Sequence, residues 1–323
     1  MRSPNLSLIV VASSLLLVAC EDSFTPKGPY TDKMVVYAIL STQTDTQYVR
    51  LYTTYNPQGF NPYENSIDKA IHDATVTVTL GASSTEYRDT LVERYNKARY
   101  KDDIGAYVAY PFRAQPGKSY NLAVESQSYG SVTASLAVPD RGRLQVSNKY
   151  VLRGEGDKNE NLVVFVWVRY ATRGYLVRYY FDFDVLQGGV WVRRRAEIPS
   201  GVVVIDNDHK IYDYPKLQKR ITTPGSVVKE EQEAVYFSRR ALELALADLY
   251  AQYTYSGMRL KGAWFVLTQV EQNLYNYYMV SNGFQDAYSI RTDVPNWTNI
   301  KGGNGVFGAF VEDSLYVDLS VSN

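Results

Sequence analysis

The chain reads as mainly β: an N-terminal sandwich of immunoglobulin-like or transthyretin-like type, followed by a larger β-rich domain with one or two helices. Strict polar/apolar alternation is the first observation, clearest in Ala74-Thr-Val-Thr-Val-Thr-Leu80, where the period of two marks a half-buried strand. The second is the spacing of turn residues, Pro116-Gly117, Gly130 and Gly188-Gly189, between short apolar runs. Tyrosine is the third, with 29 residues against 11 Phe and 4 Trp. It suits half-buried strand faces and wet interfaces alike.

Residues 1–19 have the form of an export leader. Arg2 supplies a minimal positive start, Leu6 to Val18 an apolar core broken by Ser7, Ser13 and Ser14, and Ala19 a small residue before the cut. The run is shorter than the roughly 20 apolar residues of a membrane span. Leu17-Val18-Ala19-Cys20 resembles the lipobox of bacterial lipoproteins, which implies cleavage before Cys20 and lipidation of its thiol. Multiple acyl chains, at about 0.8 kcal/mol per buried CH₂, would hold the protein on a bilayer essentially permanently. Glu21 and Asp22 resemble the signal that sends such lipoproteins to the outer face of the outer membrane in Bacteroidota. Residues 20–32, with Pro26, Gly28 and Pro29, read as a tether.

The first domain is expected over residues 33–140. Met34 to Leu40 is an apolar run, Tyr48 to Tyr52 alternates, and Asn56 to Asn65 forms a loop with Tyr55, Phe60 and Tyr63 close by. In Ala74 to Leu80, Val76, Val78 and Leu80 share the inward face. After Pro116-Gly117, Tyr120, Leu122 and Val124 point inward and are answered by Val132, Ala134, Leu136 and Val138.

The second domain is expected over residues 141–323. Asn161 to Tyr170 is a strand containing Trp167, and Tyr175 to Leu186 and Val190 to Ile198 flank Gln187-Gly188-Gly189, a hairpin signal. A helix is expected near 241–253, with Leu242, Ala245, Leu246, Leu249 and Tyr253 on one face, although Leu242, Leu244 and Leu246 also fit a strand. Gly262 to Val270 reads as a strand with Trp264 and Val266 on one side. A second helix is expected near 271–282, with Leu274, Tyr277 and Tyr278 on one face and Gly283 as its stop.

Candidate chemistry is sparse. Asp182 and Asp184 lie two apart on a strand, so both carboxylates share a face, as a glycosidase pair or a metal site would require. With Gly188-Gly189 as a two-residue turn, however, Asp184 stands opposite Arg193 and Asp182 opposite Arg195, an ordinary cross-strand pairing of charges. Ile205-Asp-Asn-Asp-His209 gathers acids and a histidine, but Ile211 and Leu217 stand where a calcium loop needs Gly and Glu. His72 and His209 are the only histidines, and no His-x-x-x-His or cysteine pair exists to nucleate zinc. No metal and no cofactor is expected. Asn299 to Phe310 carries four glycines but no Gly-Lys-Ser/Thr, so the glycines read as a tight loop or bulge before a closing strand, Val306 to Val311.

Charge narrows the partners. With 34 basic and 34 acidic side chains the chain is neutral, whereas a nucleic-acid partner calls for a basic face. Cys20 is the only cysteine, so no disulfide can form within the chain. A Cys-His mechanism would lack its thiol once Cys20 carries lipid.

The order of these features resembles a known family: Cys20, the apolar strand from Met34, the alternating Ala74 to Leu80, Pro116-Gly117 with Tyr120-Asn121-Leu122, Val138-Pro139, the tyrosine-rich Leu274 to Tyr278 and the Asn299 to Phe310 loop. It is that of Bacteroidota outer-membrane lipoproteins of the domain of unknown function 4249 type. The chain departs from the family's usual acidic and glycine pairing before the helical segment, since Tyr236-Phe237-Ser238 runs into Arg239-Arg240. The resemblance implies a surface-exposed lipoprotein associated with a TonB-dependent transporter, a non-enzymatic accessory or ligand-capturing partner of that barrel, and supplies no catalytic residues. A surface hydrolase acting on glycan or peptide, or an adhesive surface module, is the alternative.

Overall fold

A computed structural model describes residues 30–54, 67–98, 100–169, 171–206, 209–220, 230–253, 257–282 and 297–320. Over these residues the protein is mainly β with two α-helices, built around one long mixed sheet. The first half contributes β1 (Met34–Ser41), β2 (Gln47–Thr53), β3 (Ala74–Leu80), β4 (Ser83–Val92), β5 (Ile104–Ala109), β6 (Ser119–Ser126) and β7 (Gly130–Ala137). The second half contributes β8 (Arg143–Val146), β9 (Leu162–Arg169), β10 (Gly174–Gln187), β11 (Val190–Glu197), β12 (Gly201–Val204), β13 (Lys210–Asp213), β14 (Gln218–Lys219) and β15 (Glu230–Phe237). It continues with α1 (Arg239–Tyr253), β16 (Met258–Val270), α2 (Gln272–Asn282) and β17 (Asn304–Asp318).

The first core follows from alternation. Val76 and Val78 on β3, Tyr120, Leu122 and Val124 on β6, and Val132, Ala134 and Leu136 on β7 are buried on one face, as the period of two predicts. They face Met34, Val36, Ala38 and Leu40 of β1 and Val49 and Leu51 of β2. The strand that joins the two layers is β4, which the sequence reading passed over. Its residues 83–87 pair with β3 and its residues 88–92 with β5, so it turns the corner of the sandwich. With Tyr87 its one buried residue, β4 shows almost no apolar periodicity to find.

The second core lies between the sheet β11-β10-β16-β17 and a three-stranded layer, β15-β9-β8. On β9 Leu162, Val164, Val166 and Val168 are buried, and Tyr179, Phe181, Phe183 and Phe265 fill the facing layer. Helix α1 presents Leu242, Ala245, Leu246, Leu249 and Tyr253 to this core, the face its periodicity predicts. β15 was not foreseen, because Glu230-Glu-Gln-Glu233 reads as a solvated run until its pairing with β9 buries Val235 and Phe237.

The two halves share a strand. β17 runs parallel to β1 from Val35↔Asn304 to Ser41↔Phe310, then antiparallel to β16 from Val270↔Phe310 to Gly262↔Asp318. Its Phe307, Ala309 and Val311 belong to the first core, and Val317, with Leu315 packed beside it, to the second. These residues are odd-numbered and so lie on one face of the strand, which sets both covering layers on the same side of the sheet. No described helix is long and apolar enough to cross a membrane.

Candidate functional site

The face of the long sheet opposite the two cores carries aromatic residues that the cores do not use. On β1 and β2, register sets Tyr37 opposite Arg50 and Tyr52 one step along. The Tyr37 and Tyr52 rings stack with centroids 5.6 Å apart, and Tyr277 of α2 meets Tyr37 edge-on at 5.5 Å, its hydroxyl bonded to the Tyr37 hydroxyl. Arg50 lies 5.3 Å over the Tyr52 ring and is held by Asp68, a nearly buried carboxylate that also takes Arg94. Burial raises the Tyr37 and Tyr52 phenols above their ordinary range. Beside this cluster a groove of about 470 Å³ is lined by Tyr37, Ile39, Ser41, Thr44, Thr46, Gln47 and Tyr48. Ile39 and Tyr48 are 40% and 49% exposed there.

Helix α2 reaches this face because β17 offers it a bare patch. A Cβ on Gly308 would stand 2.8 Å from Cβ of Leu274 and 3.2 Å from Oε1 of Glu271, so only glycine lets the helix lie this close. Gly174 similarly receives the Tyr275 ring. Glu271 begins the helix: its carboxylate accepts the backbone N–H groups of Asn273 and Leu274 at 2.6 and 2.7 Å. Its burial nevertheless pushes the carboxyl up to about 7. The buried tyrosine of α2 is Tyr275, not Tyr278, which is exposed. Of the predicted face, Leu274 and Tyr277 do meet the sheet, at Gly308 and Tyr37, whereas Tyr275 rather than Tyr278 completes it by filling the space above Gly174.

The acidic pair resolves as the hairpin count requires. Gln187 pairs with Val190, Asp184 with Arg193 and Asp182 with Arg195. Arg195 Nε and Nη2 donate to Asp182 at 2.6 and 3.0 Å, and Arg193 Nε donates to Asp184 at 2.5 Å. Lys261 approaches Asp184 from β16 at 3.6 Å. The Arg193 and Lys261 cations outweigh partial burial and hold the Asp184 carboxyl below its usual range. Both carboxylates are thus engaged by cations and are poor candidates for acid-base exchange.

The remaining candidates stand apart. His72 contacts Asp89 at 2.9 Å on the surface of the first half, and His209 contacts Asp206 at 2.8 Å in an exposed turn of the second. Asn207 and Asp208 lie outside the described residues, as do Cys20, the leader, residues 20–29 of the tether and the Asn56 to Asn65 loop. Among the described residues no three His, Cys, Asp or Glu side chains converge as a metal site would need. The glycine-rich segment leads into β17: Gly302 and Gly305 have φ of +87° and +105°, and Asn299 exchanges two hydrogen bonds with the Phe307 backbone.

Arg239, at the start of α1, is 4% exposed. Its guanidinium donates to the carbonyls of Gly154, Glu155 and Asp157 and to Glu243. A cation that opens a helix gives no sign of this in sequence, because the three carbonyls it binds lie more than 80 residues away.

A family model described as a domain of unknown function, DUF4249, matches residues 21–315. No curated protein matches the chain. Among solved structures the chain is similar to the C-terminal globular domain of an oligosaccharyltransferase from Pyrococcus abyssi, at 11% identity and a TM-score of 0.21, covering 74% of this chain and 48% of that one. It is also similar to chitinase ChiA74 from Bacillus thuringiensis, at 12% identity and a TM-score of 0.17, covering 72% and 32%. The chain thus spans about half the length of the first of these and a third of the second.

Proposed function

The chain belongs to the DUF4249 family, and we propose that it is an outer-membrane lipoprotein of Bacteroidota type, anchored through acyl chains on Cys20 and facing the cell exterior. In this reading it is a non-enzymatic accessory of a TonB-dependent transporter, capturing ligand for the barrel or docking on it. The observation that carries the reading is the aromatic face on β1 and β2. Ile39 and Tyr48 stand open to solvent beside a groove, next to rings already fixed by stacking and hydrogen bonds. Exposed apolar residues gathered on one rigid surface mark interaction sites, and aromatic anchors that lose little freedom on contact are favoured at them. The hydrolase reading is weaker because its carboxylate pair is occupied by arginines.

Two measurements test this. Cys20→Ala is expected to move the protein from the membrane fraction to the soluble one; its recovery with membranes would overturn the anchor. Pull-down of the lipidated protein from detergent-solubilised outer membranes is expected to bring a stoichiometric barrel. Ile39→Asp with Tyr48→Ala should reduce that recovery about 10-fold or more, the loss of two interface anchors. A protein that comes down alone removes the partner.

A further inference from the structure

A second groove, remote in sequence from the first, lies where the segment after β8 meets the end of β17. It measures about 450 Å³ and is lined by Lys149, Tyr150, Arg153, Glu155, Tyr316, Val317 and Asp318. This is within the range of roughly 300–1,000 Å³ usual for small-molecule sites.

Residues 148–160 contain one turn of 3₁₀ helix, Lys149–Arg153, and otherwise irregular backbone, yet they are held from several directions. Buried Asn148 donates to Glu160 and to the carbonyl of Asn161 and accepts the N–H of Val163. Buried Arg239 binds three carbonyls of the same segment. Tyr150 donates its hydroxyl to Glu160 at 2.5 Å, and a Cβ on Gly156 would stand 2.7 Å from its ring. The ring is therefore fixed, yet Tyr150 is 42% exposed.

Across the groove Tyr316 is fixed by other means. Its ring lies over Gly262, where a Cβ would come within 2.3 Å, and its centroid is 5.7 Å from that of Trp264. It too is left 41% exposed. Two immobilised, half-open phenol rings thus border one groove, and their ordering entropy is already spent in the fold.

The charges around them balance. Lys149 and Arg153 are donors only, Glu155 and Asp318 acceptors only at neutral pH. Asp318 Oδ1 is taken by Ser320 at 2.9 and 2.6 Å, which leaves Oδ2 for another donor. Among the described residues Lys149, Arg153 and Glu155 show no ion pair within 4 Å. An anionic ligand would meet two carboxylates here, and a cationic one an ammonium and a guanidinium. A neutral ligand that both donates and accepts hydrogen bonds, and has C–H faces to lie on aromatic rings, meets neither penalty.

We infer that this groove binds a neutral saccharide, with Tyr150 and Tyr316 as stacking surfaces and Lys149, Arg153, Glu155 and Asp318 as partners for its hydroxyls. The inference gives a chemical class to the ligand-capture part of the proposed function, and it rests on that reading only for its biological setting. Its test needs no transporter, so either can fail alone.

The test is titration of the lipidated protein, in a detergent without sugar headgroups, against neutral di- and trisaccharides of glucose, galactose, mannose and xylose. Their uronate counterparts serve as anionic probes, and saturation-transfer NMR and calorimetry as readouts. At least one neutral sugar is expected to bind with a Kd of about 1 mM or tighter. Tyr150→Ala and Tyr316→Ala should each weaken it about 10-fold, while Tyr316→Phe, which keeps the ring over Gly262, should retain it. Tyr129→Ala, in the exposed β6–β7 turn and in neither groove, should change nothing. Binding by none of the neutral sugars, preference for the uronates, or affinity unchanged in both alanine variants overturns the assignment.

Discussion

At the scale of residues, Glu271 joins opposing influences in one side chain. Burial raises its carboxyl from an ordinary 4.5 to about 7, although the N–H groups of Asn273 and Leu274 pull the other way. Between those values the folded chain keeps a proton that the unfolded chain has released. Stability therefore falls as pH rises through that window, by at most about 1.4 kcal/mol per pH unit for this one group. Glu271→Gln is neutral throughout and should flatten the fall in urea unfolding measured from pH 4.5 to 7. Asp313, also raised by burial, leaves a residual slope of the same sign. Equal slopes in the two proteins would show that Glu271 is ionised across the range. That Glu271 would be buried was not legible in sequence, because a glutamate before a helix is ordinarily solvated. The burial comes from Gly308, 37 positions away, where the missing Cβ admits the carboxylate.

At the scale of elements, alternation and turn chemistry carried most of the reading. The β6–β7 and β10–β11 hairpins have the register expected of them because Gly130 and Gly188-Gly189 turn at φ of +75°, +57° and +82°. Among the strands missed, β4 and β15 have polar outer faces and depend on neighbours for burial. The glycine-rich entry to β17 was read as backbone rather than as a phosphate loop, and its geometry agrees. Gly305 sits at φ +105°, and a Cβ there would lie 2.0 Å from the Val36 carbonyl oxygen. Gly305→Ala should therefore force β17 away from β1 and cost at least about 3 kcal/mol. Chemical denaturation checks this; a loss below about 1 kcal/mol would mean that the parallel pair tolerates displacement.

At the scale of the whole molecule, β17 couples the two cores. Phe307, Ala309 and Val311 complete the first, and by the usual value for buried apolar side chains they contribute about 5 kcal/mol to it. That is comparable with the net stability of an ordinary domain. A fragment of residues 30–141 is thus expected to lack a cooperative unfolding transition, while the whole chain unfolds in one. A cooperative transition of the fragment, with a native-like near-UV spectrum, would show that the first sandwich stands without β17. The seam between the cores is also polar and specific. Asp313 accepts the Gly142 N–H at 2.7 Å, and fully buried Gln269 accepts from Arg169 and Thr172. In the proposed reading, two grooves that both border the one long sheet would hold ligand and barrel in fixed relation.

The sequence by itself determined the β class, the inward faces of β3, β6 and β7, the hairpin pairing of Asp182 and Asp184 with arginines, and the apolar face of α1. Each depends on spacing along the chain, because a period of two or 3.6 and a two-residue turn are local geometry. Tertiary structure alone decided that residues 304–311 close a sandwich begun at residue 34, and that Arg239 braces a loop 80 residues earlier. It also decided that Tyr150 and Tyr316 share a groove. These contacts join segments far apart in the chain, and no local period records which distant strand supplies the partner.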